Sequence, residues 1–150
     1  MARLKYLASI AVLAGCAVHD RFTFTLSDGT VATSGQDATG AIDNAGFVTL
    51  SDSQWSFTMN LLGIAPGNHA ITAGAGDFQL AHAATGTTFM VSLGGTCNIW
   101  LDAHGATNGS PVTGHLTCTG LTSTTGTIVD ITNATFEVPL DDPANNPGKK

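Results

Sequence analysis

The sequence has little positive charge. Only five of its 150 residues are Lys or Arg, against eleven Asp or Glu, and none of the five lies between Phe22 and Gly148. Proteins that bind nucleic acid neutralise its phosphates with a basic surface, and charge-based binding to anionic lipid has the same requirement. We therefore expect no nucleic-acid partner and no electrostatic attachment to a membrane.

The sequence also lacks long apolar runs and helical periodicity. A helix that crosses a bilayer needs roughly 20 apolar residues, and no stretch of this chain comes near that length. No segment keeps the apolar spacing of an amphipathic helix, and the composition is rich in Gly, Thr, Ser and Asn, which favour turns and half-buried strands. These features exclude a helical bundle and predict a β protein.

Recognisable catalytic and metal-binding motifs are missing as well. The chain contains no G-x-S-x-G, H-E-x-x-H or D-x-D-x-D-G pattern. His69, His82, His104 and His115 are too scattered to form a recognisable metal motif. We therefore predict no catalytic residue, no metal site and no cofactor.

The chain does contain a repeated alternation of apolar and polar residues, which is typical of strands with one buried face. The strongest alternation occurs at residues 22–26, 55–61, 89–93 and 136–140. Weaker strands are predicted at residues 47–50, 69–73, 78–82 and 127–131. Turn-forming clusters separate these segments, and the longest polar connection spans residues 34–46. We predict an all-β fold of about eight to ten short antiparallel strands, arranged as a β-sandwich or, alternatively, as a small β-barrel.

The first sixteen residues have the three-part form of an export signal. A short positive region at residues 1–5 is followed by an uncharged stretch at residues 6–13 and two small residues. The run Leu13-Ala14-Gly15-Cys16 resembles the lipobox of bacterial lipoproteins, which implies cleavage before Cys16 and attachment of lipid to its sulfur. The alternatives are a buried cysteine in an amphipathic amino-terminal helix and a conventional secretory signal that is cut elsewhere.

The lipobox resemblance implies a domain organisation and a location. Residues 1–15 would be the signal peptide and 16–21 a short lipidated tether. The alternating strands place the β domain at residues 22–140, and two prolines without an apolar anchor predict a disordered tail at residues 141–150. The exported chain would keep three cations against eleven carboxylates, a net charge of −8. In lipoproteins of enteric-type bacteria an Asp after the cysteine retains the protein in the inner membrane, so Ala17 at this position implies the outer membrane.

Two cysteines, Cys97 and Cys118, remain once Cys16 is assigned to lipid. Export implies an oxidising compartment, in which such an even pair is expected to form a disulfide. Two buried free thiols are the alternative. A metal site formed by this pair is disfavoured, because neither cysteine has a CxxC spacing or a close histidine.

The residues around this pair predict a β-hairpin. Its strands span residues 96–104 and 112–119 and are joined by a cluster of turn formers. If Ala103 lies opposite Val112, the antiparallel register places the two cysteines opposite each other on the apolar face of the hairpin. This register is compatible with the disulfide that export predicts.

The same register collects Trp100, Asp102 and His115 on the solvent face of the hairpin. Trp100 would lie directly across from His115, with Asp102 diagonal to it. An aromatic side chain beside a His/Asp pair could bind a sugar or another small ring, so these three residues form a candidate ligand face. The alternative is an ordinary solvated sheet face that is stabilised by cross-strand contacts.

Three hypotheses for function follow. The first is an envelope lipoprotein, anchored in the membrane by lipid, whose non-catalytic β domain binds an envelope protein or a glycan or has a structural role. The second is a small hydrolase or carbohydrate-active enzyme that uses Asp102 and His115, with Trp100 as a platform for substrate. The third is a self-assembling surface subunit, because strands rich in Thr and Gly with few charges leave the sheet edges poorly protected.

Overall fold

The computed structural model describes residues 20–35 and 37–141, and in this part of the chain eleven strands join into one antiparallel sheet. The strands are β1 (Arg21–Leu26), β2 (Val31–Thr33), β3 (Thr39–Ile42), β4 (Phe47–Ser51), β5 (Trp55–Asn60), β6 (Gly67–Thr72), β7 (Asp77–His82), β8 (Thr87–Met90), β9 (Thr96–Leu101), β10 (Pro111–Ser123) and β11 (Ile128–Pro139). The predicted all-β, antiparallel class is confirmed.

The sheet runs in the order β2-β1-β11-β10-β8-β7-β5-β4-β3. At 13 residues, β10 is long enough to pair with β11 along one edge and with both β9 and β8 along the other, and β6 adds to β9. The two distant parts of the sheet meet where Ile42 bridges Leu140 and the Asp141 N–H donates to the carbonyl of Ile42 at 2.9 Å. The sheet is therefore curled into a half-barrel.

One continuous apolar core fills the inside of the half-barrel. Strand alternation supplies it: Phe22 and Phe24 of β1 are buried, and the threonines between and after them are only partly so. The centre is aromatic, since Phe57 lies edge-on to Phe22 with ring centroids 5.6 Å apart and also to Phe136 at 6.1 Å. Burying a side chain of this size contributes about 1.5–3 kcal/mol. Because side chains alternate along each strand, the positions between the buried ones face outward and carry mainly polar side chains.

Several strand predictions need correction. The connection predicted at residues 34–46 contains the short strand β3. Only Ile42 of this strand is buried, so the sequence shows no alternation of apolar and polar residues there. The inward position predicted for Leu93 is wrong, because β8 ends at Met90 and Val91–Leu93 forms a 3-10 turn that leaves Leu93 half exposed. The strands predicted at 127–131 and 136–140 belong to the single strand β11, whose pairing is interrupted by register shifts.

The hairpin of β9 and β10 has the predicted register. Cys97 pairs with Cys118 and Trp100 with His115, and the two cysteines form a disulfide bond in the core. The predicted strand limits are less accurate, since β9 ends at Leu101 and β10 continues to Ser123. The extra length of β10 is what allows it to pair with β8 as well.

We expect the disulfide to stabilise the domain substantially. Its cysteines are 21 residues apart, and closing a loop of that size stabilises a fold by about 3 kcal/mol through the entropy of the unfolded chain. The Cys97→Ala/Cys118→Ala variant should therefore lose about this free energy of unfolding in urea. Wild type in a reducing agent should lose a similar amount, whereas the variant should not respond to the reducing agent. Equal stability of oxidised wild type and variant would contradict the assignment.

Asp52 holds the turn between β4 and β5 and ties a neighbouring connection to it. Its carboxylate accepts backbone N–H bonds from Gln54 and Trp55, each at 2.7 Å, and from Gly35 at 3.1 Å. Burial acts to raise the pKa of Asp52, but these three donors outweigh it and lower the pKa below its ordinary value. The ionised carboxylate is therefore the form that stabilises the fold.

This arrangement predicts a pH-dependent effect of Asp52→Asn. A depressed pKa contributes stability above the unfolded value of about 3.9, and that contribution is lost as the pH falls through the lower, folded value. At pH 7 the variant should be less stable than wild type by about 1–2 kcal/mol, since bonds to a charged acceptor are replaced by bonds to a neutral one. Urea unfolding should show the difference shrinking below pH 4. A difference of the same size at pH 7 and pH 3 would rule out this role.

Candidate ligand-binding site

Two neighbouring rows of outward-facing side chains cross the sheet, the first from β9 to β2 and the second from β9 to β1. The first, here called the aromatic row, contains Trp100, His115, Thr135, Thr23 and Thr33. The second, here called the charged row, contains Asp102, Thr113, Glu137 and Arg21. Each strand contributes residues two apart to the two rows, so the rows lie about 7 Å from each other on the same face.

An open groove of about 570 Å³ lies along these rows. His115 and Asp102 line it at one end and the pair of Arg21 and Glu137 lines it at the other. Hydroxyl groups also line it: Thr113 and Thr135 lie between these ends, Thr23 lies on β1 beside Arg21, and Thr33 and Ser34 lie beyond β1. The groove therefore offers many hydrogen-bonding groups and the exposed imidazole of His115, with the buried residues Phe22 and Phe136 also in its lining.

Trp100 and His115 form a stacked pair on this face. Their rings are nearly parallel, at 6°, with centroids 5.2 Å apart. His115 lines the groove and lies between Trp100 and Thr135 in the aromatic row, so one face of its ring is covered by the indole and the other is turned toward the groove. Aromatic pairs of this kind contribute about 0.5–1.5 kcal/mol beyond their buried area. The stack therefore holds the imidazole upright at the edge of the groove.

Asp102 is fixed in place although it follows the last residue of β9. Its N–H donates to the carbonyl of Thr113 at 3.0 Å, and its carboxylate accepts a hydrogen bond from the Thr113 hydroxyl at 2.9 Å. The carboxylate is thus oriented by Thr113 and not by His115. The structure brings all three residues of the predicted ligand face to one side of the sheet, with Asp102 and His115 in the groove and Trp100 behind His115.

Sequence reasoning missed the far end of this groove. Arg21 forms an ion pair with Glu137, and the Arg21 side chain is 67% exposed. These two residues meet only because β1 pairs with β11 and β11 with β10, and no local pattern reveals a pairing between strands more than 100 residues apart. The available signal was that Arg21 is the sole Lys or Arg close to the predicted domain start.

A second tryptophan–histidine stack occurs at another place in the sheet. Trp55 and His82 pair directly across β5 and β7, with ring centroids 4.2 Å apart at 12°. Trp55 is buried and packs edge-on against Phe24, so this stack mainly closes the core. A smaller groove of about 300 Å³ beside it includes Asp28, whose pKa is lowered by the hydrogen bond from the Thr30 backbone N–H.

The structure places no group of three or more potential metal ligands together within residues 20–35 and 37–141. Over the same residues, no helix is both long and apolar enough to span a membrane. Cys16, the proposed lipid site, and the tail from residue 142 onward lie outside the described residues. Comparison with known protein families, curated proteins and solved structures finds no match to this chain.

Proposed function

We propose that this chain is a lipid-anchored protein of the bacterial envelope. Its β domain is non-catalytic and binds a glycan in the groove along β9, β10, β11 and β1. The observation that carries the binding role is the groove itself. It joins an imidazole face, supported by Trp100, to a series of hydroxyl and carboxylate groups on one face of the sheet. The outer membrane is the proposed location, on the basis of Ala17.

The chemistry of the groove fits a sugar chain with little charge. Aromatic ring faces bind the apolar C–H faces of sugars, while carboxylates and hydroxyls bind their alcohol groups. Arg21 and Glu137 balance each other, which leaves Asp102 as the uncompensated charge of the groove when His115 is neutral. A polyanion would meet repulsion from Asp102 and only one Arg, so a neutral or N-acetylated oligosaccharide is the better fit.

The position of Arg21 supports a ligand close to the membrane. Arg21 begins β1 and also lines the groove, and only four residues separate it from Cys16. Five peptide steps reach about 17 Å at most, so a lipid on Cys16 would hold this end of the groove within that distance of its bilayer. The proposed ligand is therefore an envelope glycan that is accessible at the membrane surface.

A hydrolase that uses Asp102 and His115 is the second candidate, since both side chains line the same groove. For His115 to act as a base oriented by a carboxylate, Asp102 would have to bond to the imidazole. Instead, its carboxylate accepts from Thr113. This arrangement favours binding over catalysis.

The lipid anchor is tested by the intact mass of the protein from the membrane fraction of a bacterium that processes lipoproteins. We expect a chain that begins at Cys16, carries two or more acyl chains and lacks the two hydrogens lost in the disulfide. Acylation by more than one chain is needed because a single chain binds membranes only marginally. The Cys16→Ser variant should be neither cleaved at this position nor lipidated. A protein that still begins at Met1, without acyl chains, would contradict the anchor.

The glycan site is tested by calorimetric titration of the domain with neutral and N-acetylated oligosaccharides. Trp100→Ala and His115→Ala should each raise the Kd about five- to tenfold, since each removes or releases the stacking ring. His82→Ala is the matched control, because it removes the histidine of the other stack and should leave the Kd unchanged. Absence of binding, or equal Kd values for all variants, would contradict the site. Release of a shorter product during the titration would instead support the hydrolase.

A further inference from the structure

Two histidines fasten one loop at the end of the half-barrel. The loop, residues 61–66, joins β5 to β6 and is here called the rim loop. His69 contacts it through both ring nitrogens, with Nδ1 3.1 Å from the carbonyl oxygen of Leu61 and Nε2 2.7 Å from that of Ala65. His104 reaches it from the connection between β9 and β10, with Nε2 2.8 Å from the carbonyl oxygen of Ile64.

The second ring nitrogen of His104 also faces a carbonyl. Its Nδ1 lies 2.8 Å from the carbonyl oxygen of Gly105. The two rings therefore make four contacts, all with oxygens that can only accept hydrogen bonds. A neutral imidazole has one N–H, so two neutral rings can supply only two of the four contacts and leave two nitrogen lone pairs facing oxygen. Two imidazolium rings supply all four.

The other histidines on the described strands are arranged differently. His82 lies with Nδ1 3.2 Å from the hydroxyl of Thr85, which can donate as well as accept, so a neutral ring is satisfied there. His115 is exposed and stacks on Trp100. The requirement for a second ring proton is thus specific to His69 and His104 among these four.

The rim loop contains a residue with an unfavourable backbone conformation. Leu62 has a φ of 58°, a left-handed conformation that is unfavourable for a residue with a side chain, and 73% of Leu62 is exposed. Besides the histidine contacts, the Leu61 N–H donates to the carbonyl of Gly46 at 2.9 Å and the Leu62 N–H to the Asn60 side chain at 3.1 Å. The side chain of Leu61 is buried in the core, and that of Ile64 packs against it. Loss of the histidine contacts would therefore leave Leu61 anchored in the core but remove the hydrogen bonds that hold the backbone of Ile64 and Ala65.

Carboxylates predominate among the charged groups around this end of the molecule. The charged groups on the elements around the rim loop are all carboxylates: Asp43 before Gly46, Asp77 at the start of β7, Asp102 before His104, and Asp141 after β11. No Lys or Arg occurs anywhere between residues 22 and 148. Arg21, which begins β1 at the same end of the sheet, is ion-paired with Glu137 of β11.

We propose that His69 and His104 form a pH-dependent clasp that orders the rim loop when both rings are protonated and loosens it when they lose their protons. The direction of this pH effect follows from the linkage between proton binding and stability. Protons that are needed for contacts made only in the closed loop stabilise that state, so the stabilisation is present at low pH and is lost as the pH rises through the titration of the two rings. The clasp lies at the end of the sheet where β1 begins. The proposal depends only on these histidine contacts and not on what the groove binds.

Nuclear magnetic resonance on the wild-type protein tests the clasp directly. At pH 5.5, each of the two rings should show two imidazole N–H protons that exchange slowly enough to be observed. Between pH 5.5 and pH 8, amide exchange of residues 61–65, corrected for its intrinsic pH dependence, should become about five- to tenfold faster, the change expected from losing a hydrogen bond. Rings whose N–H protons exchange as fast as those of an exposed histidine would overturn the proposal, as would equal protection at both pH values.

Variants separate the clasp from simple packing. His69→Gln and His104→Gln each keep a neutral donor but cannot titrate, so each should reduce the pH response of the rim loop, and the double variant should abolish it. His82→Gln is the matched control and should leave the pH response of residues 61–65 intact. A double variant that folds and keeps the wild-type pH response would refute the assignment. If it fails to fold, the wild-type ring-proton and exchange measurements still decide.

Discussion

The site depends on the register between β9 and β10. In this register Cys97 faces Cys118 inside the core while Trp100 stacks on His115 outside. A shift by one residue would exchange the two faces, because side chains alternate along a strand. The disulfide therefore does more than stabilise the fold, since it fixes which side of the hairpin carries the aromatic pair.

The sequence allowed the hairpin to be predicted because its information is local. Two cysteines, a cluster of turn formers and an apolar face of aliphatic and small residues agree on a single register, and the stacking of Trp100 with His115 follows from it. The all-β class was predictable for a similar reason, since period-two alternation recurs along the chain. Short strands such as β2 and β3 were missed because three or four residues give too little alternation to read.

The rest of the site could not be predicted because it depends on contacts between distant segments. Arg21 and Glu137 are 116 residues apart and meet across β1 and β11. His104 and Ile64 are 40 residues apart and meet where two connections cross at the end of the half-barrel. Such pairings depend on strand order, which is decided by packing of the whole core and leaves no local trace in the sequence. The groove is therefore a property of the fold, built around one hairpin that the sequence predicts.

The most direct test of this account is the pattern of nuclear Overhauser effects across the hairpin, measured on the oxidised domain in solution. The account predicts contacts between the indole of Trp100 and the imidazole of His115, together with cross-strand contacts that place Cys97 opposite Cys118. Contacts of Trp100 with core residues such as Leu116, and none with His115, would contradict the register. The aromatic row, the groove and the proposed ligand face would then have to be abandoned together.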